Sequence, residues 1–317
     1  MIKYFFLFLF FTISNKSFSS SFTICNKFII LNNAVILKIN SSTGKELNIL
    51  FDSGTKGFLV DSNVFDKLKL RPNGNTGWVT FSNGSVQCQY FSEQKIFDNS
   101  YLNDIYSHGS ILDLGQLKDR YGVPIHGILG ISSKVDLFYR LSLTSNTFTI
   151  TNKASDINSK YVKLKMVSSD FNNETSRSKY FSHNVAVQGK ILFNKKDSIK
   201  LNFIFDTGFN RFYHIYTKKS IETVIKNYSI DVEAKRQKKT SLGSYVDTLY
   251  ETKVNLISLD NIETFKDVNL TIKEGVEANF FKAGSSDWFA LIGMDYIVNK
   301  REICIDMINR YIYILNK

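Results

Sequence analysis

One eight-residue pattern occurs twice in the chain, as LNILFDSG at residues 47–54 and as LNFIFDTG at residues 201–208. Leucine, asparagine, phenylalanine, aspartate and glycine recur at the same positions, and the two copies lie 154 residues apart. In each copy a short run of β-forming residues leads into an aspartate, a hydroxyl residue and a glycine. Repetition at this distance indicates that one β-rich unit is present twice.

A second pattern follows each copy at a similar distance. GILGI at residues 127–131 places Gly130 78 residues after Asp52, and ALIGM at residues 290–294 places Gly293 87 residues after Asp206. Each of these is followed by a predicted β-hairpin, over residues 137–150 and 301–315. The sequence therefore predicts a mostly β protein made of two related lobes.

The domain boundaries follow from this duplication. Residues 22–155 are predicted to form the N-terminal lobe and residues 183–317 the C-terminal lobe, with the polar stretch 156–182 as the linker region. Residues 1–21 have a lysine at position 3, an apolar run over residues 4–13 and then small residues, which is typical of a signal peptide. An uncleaved anchor or a buried strand are the alternatives. Export to the periplasm or the extracellular space is expected, with no stable membrane span after signal removal.

Composition excludes several functional classes. Four histidines without an H-x-x-x-H pair and three cysteines without a C-x-x-C pair predict no metal site. The net charge is +11, but the lysines are dispersed. The one dense run, KRQKK at residues 235–239, is interpreted as a solvated loop, so no nucleic-acid partner is expected. A disulfide between Cys25 and Cys304 is left open.

The duplicated aspartates, Asp52 and Asp206, are the predicted catalytic residues. A carboxylate at the end of an apolar strand is costly to bury unless it is paired, hydrogen-bonded or protonated. The following glycine allows a sharp turn, and the hydroxyl residue between them can connect the two loops. The residues predicted to support the active-site loops are Ser53, Gly54, Thr55, Thr207 and Gly208, with Gly130 and Gly293 as structural glycines.

Phe51–Gly54 with Gly130, and Phe205–Gly208 with Gly293, resemble the two signature motifs of the pepsin and retropepsin kind of aspartic peptidase. The resemblance covers nearly the whole chain after the signal segment. It implies a bilobal pepsin-like fold and an endopeptidase that activates water between two carboxylates without a covalent intermediate. It also implies an acidic pH optimum, no cofactor, an extended peptide or protein substrate, and a monomer; the few residues before the first strand leave no room for a zymogen propeptide.

The resemblance also implies a flap, the hairpin that covers the active site of such peptidases. Residues 77–90 read as a hairpin that turns at Asn83-Gly84, with Phe81 as the aromatic near its tip and Trp78 as the rival. An ordinary surface hairpin is the alternative interpretation. The second motif departs from the family at Phe209, where a threonine or serine is usual, and this predicts weaker hydrogen-bond support for Asp206.

Two alternatives remain open on the sequence alone. The first is a catalytically inactive peptide-binding or inhibitor-type module on the same fold, which the departure at Phe209 and the unusual flap keep in play. The second is a glycosidase, whose two carboxylates stand about 5–9.5 Å apart. Nothing in glycoside hydrolysis explains why the Asp-Ser/Thr-Gly tripeptide occurs twice.

Overall fold

The computed structural model describes residues 21–81, 84–132, 135–153, 157–167, 185–194, 197–209, 213–217, 219–237, 247–274 and 288–317. Its N-terminal half contains ten strands: β1 (Thr23–Leu31), β2 (Ala34–Asn40), β3 (Glu46–Lys56), β4 (Phe58–Asp61), β5 (Thr76–Phe81), β6 (Gly84–Ser92), β7 (His108–Leu112), β8 (Gly127–Ile131), β9 (Phe138–Ser142) and β10 (Thr147–Thr151). Three short helices lie between them: α1 (Ser62–Lys67), α2 (Ser100–Ile105) and α3 (Leu117–Tyr121).

The described part of the C-terminal half contains a further ten strands. These are β11 (Val162–Lys165), β12 (Ala186–Leu192), β13 (Ser198–Phe205), β14 (Tyr213–Thr217), β15 (Glu233–Gln237), β16 (Asp247–Leu259), β17 (Glu263–Glu274), β18 (Trp288–Ile292), β19 (Lys300–Asp306) and β20 (Tyr311–Asn316). Two helices accompany them, α4 (Ile221–Tyr228) and α5 (Met294–Ile297). The protein is mostly β, as the sequence predicts.

The two halves share one strand order. In the N-terminal half the order is β2-β3-β8-β4-β7-β6-β5, and in the C-terminal half it is β12-β13-β18-β14-β17-β16-β15. The directions also agree, because β3 pairs with β8 in parallel as β13 does with β18, and β4 pairs with β7 in parallel as β14 does with β17. The repeat in the sequence is therefore a repeat in topology.

Both halves curl back on themselves. In the C-terminal half β12 also pairs with β16, which closes β12, β13, β18, β14, β17 and β16 into a six-stranded barrel. In the N-terminal half the corresponding closure is one antiparallel bridge between Ser41 and Phe97. It is supported by backbone hydrogen bonds from Ser42 N to Ile96 O, 2.8 Å, and from Asp98 N to Asn40 O, 3.1 Å.

The remaining strands connect the halves. They lie in the order β11-β20-β19-β9-β10-β1, so that three come from each half. The central pair is β19 with β9, antiparallel, with Cys304 opposite Arg140. The two hairpins predicted over residues 137–150 and 301–315 are thus β9–β10 and β19–β20, lying side by side in one sheet.

Several sequence predictions are changed by the structure. The predicted linker region contains β11, which pairs with β20 and has Leu164 completely buried. Lys235–Gln237 belong to β15, so this part of the basic run is an edge strand and the interpretation as a loop is wrong there. Cys25, Cys88 and Cys304 are all free thiols, so the Cys25–Cys304 disulfide left open is not formed.

The predicted signal peptide lies outside the described residues except for Ser21, as do residue 156 and residues 168–182 of the predicted linker region. Among the residues that the structure describes, no helix has the length and apolar character needed to cross a membrane. Over the same ranges, no cluster of three or more His, Cys, Asp and Glu side chains is arranged to hold a metal ion.

Candidate active site

The two Asp-Ser/Thr-Gly segments occupy equivalent places in the two halves. The first lies within β3 and the second directly follows β13. In each half the parallel neighbour of that strand carries the hydrophobic-hydrophobic-glycine pattern, β8 beside β3 and β18 beside β13. All five residues of β8 are buried, as expected for a parallel strand covered on both faces. The sequence forms these central strands because its apolar residues run without alternation, and the aspartate follows where the run ends.

Reciprocal hydrogen bonds join the two segments. The Ser53 N–H donates to Thr207 Oγ1, 2.9 Å, and the Thr207 N–H donates to Ser53 Oγ, 3.0 Å. The Ser53 hydroxyl donates to Phe205 O, 2.7 Å, and the Thr207 hydroxyl donates to Phe51 O, 2.9 Å. Both hydroxyl residues are buried. Four hydrogen bonds related by an approximate two-fold symmetry therefore hold the loops together, as the paired hydroxyl residues predict.

This connection makes a testable contribution to stability. Ser53→Ala and Thr207→Val each remove two of the four bonds and leave a buried N–H and a buried C=O without their partners. Each orphaned group costs about 1–3 kcal/mol, so each variant should lower the free energy of unfolding by about 2 kcal/mol or more. Chemical denaturation of the purified variants measures this.

Thr217→Val is the matched control, because the buried Thr217 hydroxyl accepts a hydrogen bond from Lys219 N at 3.0 Å and takes no part in the bonds that join the two loops. It should cost less than either loop variant. Equal losses in the control and the loop variants would show that the reciprocal bonds contribute nothing particular.

The hydrogen-bonded loops bring the two carboxyl groups together. A Cβ atom on Gly54 would lie 2.8 Å from Asp206 Cγ, and one on Gly208 would lie 2.5 Å from Asp52 Cγ. Each carboxyl group therefore lies against the glycine of the opposite loop. Only glycine leaves room there, so both glycines of the motif are explained by the approach of the carboxyl groups.

The two aspartates receive different support. Asp52 Oδ1 accepts from Gly54 N, 2.9 Å, and from Thr55 N, 3.2 Å, while Asp52 Oδ2 accepts from Thr55 Oγ1, 2.8 Å. Asp206 Oδ1 accepts from Gly208 N, 2.9 Å. Among the described residues, no side-chain hydroxyl supports Asp206 as Thr55 supports Asp52. The weaker support predicted for Asp206 is confirmed for this part of the chain.

Phe209 replaces that hydroxyl with a different kind of contact. Its ring lies against the imidazole of His214 at a centroid distance of 5.5 Å, and its carbonyl accepts from Met294 N at 2.7 Å. His214 is buried, with Nδ1 in hydrogen-bonding contact with Thr271 Oγ1. The second loop is thus held by the packing of Phe209 on His214 and by the hydrogen bond from Met294 at the start of α5.

The electrostatics follow from the closeness of the two carboxyl groups and from the limited access of water to them, although both aspartates are partly exposed. Burial, then the charge of Asp52 and a hydrogen bond with its carboxyl group, raise the pKa of Asp206 well above the ordinary value. The Gly208 N–H and the positive charge of Arg120 act in the opposite direction. Two adjacent carboxyl groups with little access to water share one proton, because ionising both would place like charges side by side.

The two structural glycines have different roles. A Cβ atom on Gly130 would lie 2.2 Å from the carbonyl oxygen of Thr55, so β8 passes directly behind the first loop. Gly130 N donates to Gly57 O and Gly57 N donates to Ile131 O, both at 2.8 Å. Gly293 instead begins α5, and next to it Ile292 O accepts from Asp206 N at 2.9 Å.

The predicted hairpin exists, but its turn is shifted by one residue. β5 and β6 pair with Phe81 opposite Gly84, so Gly84 belongs to the ladder and not to the turn pair Asn83-Gly84. Ser82 and Asn83, which complete the hairpin, lie outside the described residues. Because Phe81 pairs with Gly84, residues 82 and 83 connect the strands, one position before the predicted pair Asn83-Gly84.

The two faces of this hairpin differ. Trp78 is 66% exposed, whereas the next residue, Val79, packs with Val86 and Tyr90 onto a buried apolar cluster. Neighbouring residues of a strand point to opposite faces, so Trp78 lies on the face away from that cluster. The cluster includes Tyr121 of α3, and we call it the α3 cluster.

Tyr121 and Arg120 are residues near the site that the sequence reasoning missed. Burial raises the pKa of the Tyr121 phenol to about 12; the Arg120 charge opposes this, and the charges of Asp52 and Asp206 add to it. The Arg120 guanidinium lies 5.1 Å from the Tyr121 ring centroid. No sequence motif contains these residues. They come close to the two loops only in the folded chain, where β4 pairs with both β7 and β8 and so places α3 beside the loops.

The asparagine of the repeat has a structural role in the N-terminal half. Asn48 N donates to His126 Nδ1, His126 N donates to Asn48 O, both at 2.8 Å, and Asn48 Nδ2 donates to Pro124 O at 2.9 Å. These bonds fix the residues that lead into β8. Burial lowers the pKa of His126, and the charges of Lys67 and Lys38 act the same way against that of Asp61.

The lowered pKa of His126 predicts a loss of stability in acid. Because the folded protein binds this proton less readily than the unfolded chain does, stability is present above the ordinary histidine pKa of about 6.5 and is lost as the pH falls through the lower folded-state value. His126→Asn keeps an acceptor without a titrating group, so its unfolding free energy should decline less between pH 7 and pH 5. Denaturation curves at both pH values measure the difference.

His108→Asn is the control, because His108 is exposed at the start of β7. It should leave the pH dependence close to that of the wild-type protein. A decline in the His126 variant as steep as in the wild type would contradict the assignment.

A cavity of about 650 Å³ opens elsewhere, in the C-terminal half. None of the predicted site residues lines it. Its polar lining includes Asp231, Glu233, Glu251, Lys253 and Asp295. The cavity is therefore distinct from the pair of aspartates.

Comparison with known proteins does not place this chain in a family. No protein-family model matches the chain, and no curated protein matches it.

Proposed function

We propose that this protein is an exported aspartic endopeptidase with the bilobal fold of pepsin-like enzymes. The observation that carries the proposal is the pair of adjacent, partly exposed carboxyl groups, each against the glycine of the opposite loop, with buried reciprocal Ser53–Thr207 hydrogen bonds beside them. The equal strand orders of the two halves support a two-lobed architecture. The adjacency of the carboxyl groups argues against a glycosidase, whose carboxylates stand about 5 Å or more apart.

The chemistry follows from the shared proton. One carboxyl group is ionised and takes a proton from a water molecule, while the other is neutral and donates its proton to the oxygen of the scissile carbonyl. The hydroxide equivalent adds to the carbonyl carbon and gives a tetrahedral diol. The C–N bond then breaks as the amine leaving group receives a proton from the pair. Asp52 and Asp206 exchange roles along this cycle, and their titration belongs to the pair.

The substrate in this proposal is an extended peptide or protein chain lying between the halves. The β5–β6 hairpin would act as the flap and pair with the main chain of the substrate. Residues 1–21 would direct export to the periplasm or the extracellular space. The reaction requires no cofactor or nucleic acid, and a monomer holds both aspartates.

Cleavage of a peptide library by the purified protein between pH 3 and pH 7 tests the proposal. We expect cleavage with an acidic optimum, because one carboxyl group must be protonated. A folded protein that binds peptides but cleaves none at any pH would overturn the proposal and favour the peptide-binding module. Activity that requires an added metal ion would also contradict it.

A further inference from the structure

We propose that Arg120 selects substrates that carry an acidic side chain near the scissile bond. The inference rests on the proposed peptidase function and adds a substrate preference to it. The backbone of Arg120 is held in place by hydrogen bonds. Its guanidinium group has no carboxylate partner among the described residues. The inference concerns one residue of α3 and not the motifs of the two aspartate loops.

The backbone of Arg120 is held from two sides. Gly122, in the left-handed conformation with φ of 73°, ends α3 by donating its N–H to Lys118 O at 2.7 Å. The side-chain amide of Asn32, in the β1–β2 turn, donates to the Arg120 carbonyl at 2.7 Å. The neighbouring Asn33 side chain donates to Asp295 of α5. The end of α3 is therefore fixed at a junction between the two halves.

The side chain of Arg120 is partly ordered by stacking. The guanidinium carbon lies 5.1 Å from the centroid of the Tyr121 ring, and Tyr121 is 3% exposed within the α3 cluster. Stacking on an aromatic face orients the planar guanidinium and leaves its N–H groups free to bind other partners at its edge. Arg120 itself is only partly exposed. Stacking thus fixes the plane of the guanidinium group, which forms no ion pair with a carboxylate in the described part of the chain.

Arg120 also lies near the first aspartate loop, because Tyr121, on whose ring it stacks, packs in one buried cluster with Leu50 of β3. Leu50 and Asp52 are two residues apart in that strand and therefore lie on the same face of it. The positive charge of Arg120 lowers the pKa of Asp206 and that of Tyr121. A substrate bound across the two carboxyl groups would therefore pass this guanidinium. Its fork of N–H donors matches a carboxylate in a bidentate geometry, which an amide or an apolar side chain cannot reproduce.

The same α3 cluster carries the hairpin. Val79, Val86 and Tyr90 pack onto it together with Tyr121. Arg120 is partly exposed at the edge of this cluster, whereas the Tyr121 ring on which it stacks is buried. An acidic side chain reaching Arg120 would meet one positive charge whose plane is set by the ring beneath it. The structure thus assigns to Arg120 a role in specificity, as a substrate-contacting residue that takes no part in proton transfer.

The test uses peptide pairs that differ only in glutamate or glutamine, scanned through each position around a cleaved bond. At about pH 6 the glutamate is ionised, since its ordinary pKa is about 4.3. We expect the wild-type protein to prefer glutamate at one position by about tenfold in kcat/KM, as a hydrogen-bonded charge pair allows. Arg120→Gln should abolish this preference, and Arg120→Lys should retain part of it because the charge remains without the fork.

Lys118→Gln is the matched control. It removes the same charge from the same helix, but Lys118 is exposed and makes no stacking contact of this kind. The control should keep the full preference. A preference that persists in Arg120→Gln, or that is lost equally in Lys118→Gln, would overturn the inference. Absence of any glutamate preference in the wild type would do the same.

A binding measurement separates this inference from the proposed function. Fluorescence anisotropy of labelled glutamate and glutamine peptides reports their affinities whether or not they are cleaved. If no peptide is cleaved but the glutamate peptide binds more tightly in an Arg120-dependent way, the peptidase proposal fails and the recognition role stands. If cleavage is observed with equal affinities and rates for both peptides, the recognition role fails alone. The preference should also weaken as ionic strength rises.

Discussion

Asp52→Asn and Asp206→Asn are each expected to reduce kcat/KM for peptide cleavage by about a thousandfold or more. The reaction needs one ionised and one neutral carboxyl group, and an amide can neither accept the proton of the attacking water nor share a proton with its neighbour. Removing a positioned general acid or base costs about 10²–10⁴ in rate, and here one change disables both functions of the pair. Initial rates with a cleaved library peptide, at the pH optimum and at neutral pH, measure the loss.

The pH dependence of unfolding shows whether the Asp206→Asn variant is folded. The raised pKa of Asp206 means that the folded protein retains a proton which the unfolded chain releases. This group therefore contributes stability below its ordinary pKa of about 4, and the contribution is lost as the pH rises towards the folded-state value. Asp206→Asn removes that titration, so it should lose less stability than the wild type between pH 4 and pH 7, with no loss of folded structure.

Asp306→Asn is the control for these variants. Asp306 is more deeply buried than either aspartate of the pair, and it accepts hydrogen bonds from Asn309 N and Asn309 Nδ2 at the β19–β20 turn, away from the two loops. A folded Asp306→Asn variant should keep its activity. Cleavage that survives in either Asp52→Asn or Asp206→Asn would show that the pair is not the catalytic centre.

Gly208→Ala is expected to reduce kcat/KM about a hundredfold while the protein stays folded. The new methyl group would lie 2.5 Å from Asp52 Cγ, so the Asp52 carboxyl group has to move away from its partner. Displacements of about 1 Å at a reacting group can cost about 10²-fold in rate. Because the atoms displaced belong to a side chain, the strands can remain in place. Circular dichroism and denaturation should show near-normal stability beside the loss of activity.

Two other glycines give the comparison for this prediction. Gly115→Ala would meet only the Asp113 carboxylate, at 3.1 Å, and should affect neither property. Gly130→Ala would place its methyl group 2.2 Å from the Thr55 carbonyl, and backbone there cannot yield without moving β3 or β8. It should therefore destabilise the fold itself. Gly208→Ala with full activity, or with the stability loss of Gly130→Ala, would contradict the proposed geometry.

Much of the candidate site could be predicted because its signal is local. Asp52, Ser53 and Gly54 follow one another directly, and the same tripeptide pattern recurs at Asp206, so the duplication itself indicates that the segments work together. The hydroxyl residue of each copy predicts a connection between the loops, and the four hydrogen bonds of Ser53 and Thr207 confirm it. A short motif encodes its own turn and its own hydrogen-bonding groups, and these need no distant partner to be recognised.

What the sequence could not predict depends on which distant segments become neighbours. Arg120 and Tyr121 carry no motif, and they reach the aspartates only through strand pairing in the N-terminal half. β11 lies in a stretch whose polar composition predicts a linker. Its strand is not evident from the sequence because Leu164 is buried only when β20 lies beside it. The one-residue shift of the hairpin turn was set by the register of β5 and β6, which the Asn83-Gly84 pair alone does not specify.

By itself, then, the sequence determined the β class, the duplication and the pair of Asp-Ser/Thr-Gly loops, because residue propensity and repetition are properties of the chain. The tertiary structure decided the exchange of hydrogen bonds that sets each carboxyl group against the opposite glycine, and the raised pKa of Asp206 that results. It also decided the pairing of β9 with β19, which joins the two halves in one sheet. These features depend on the burial and close approach of residues far apart in sequence, which only the folded chain provides.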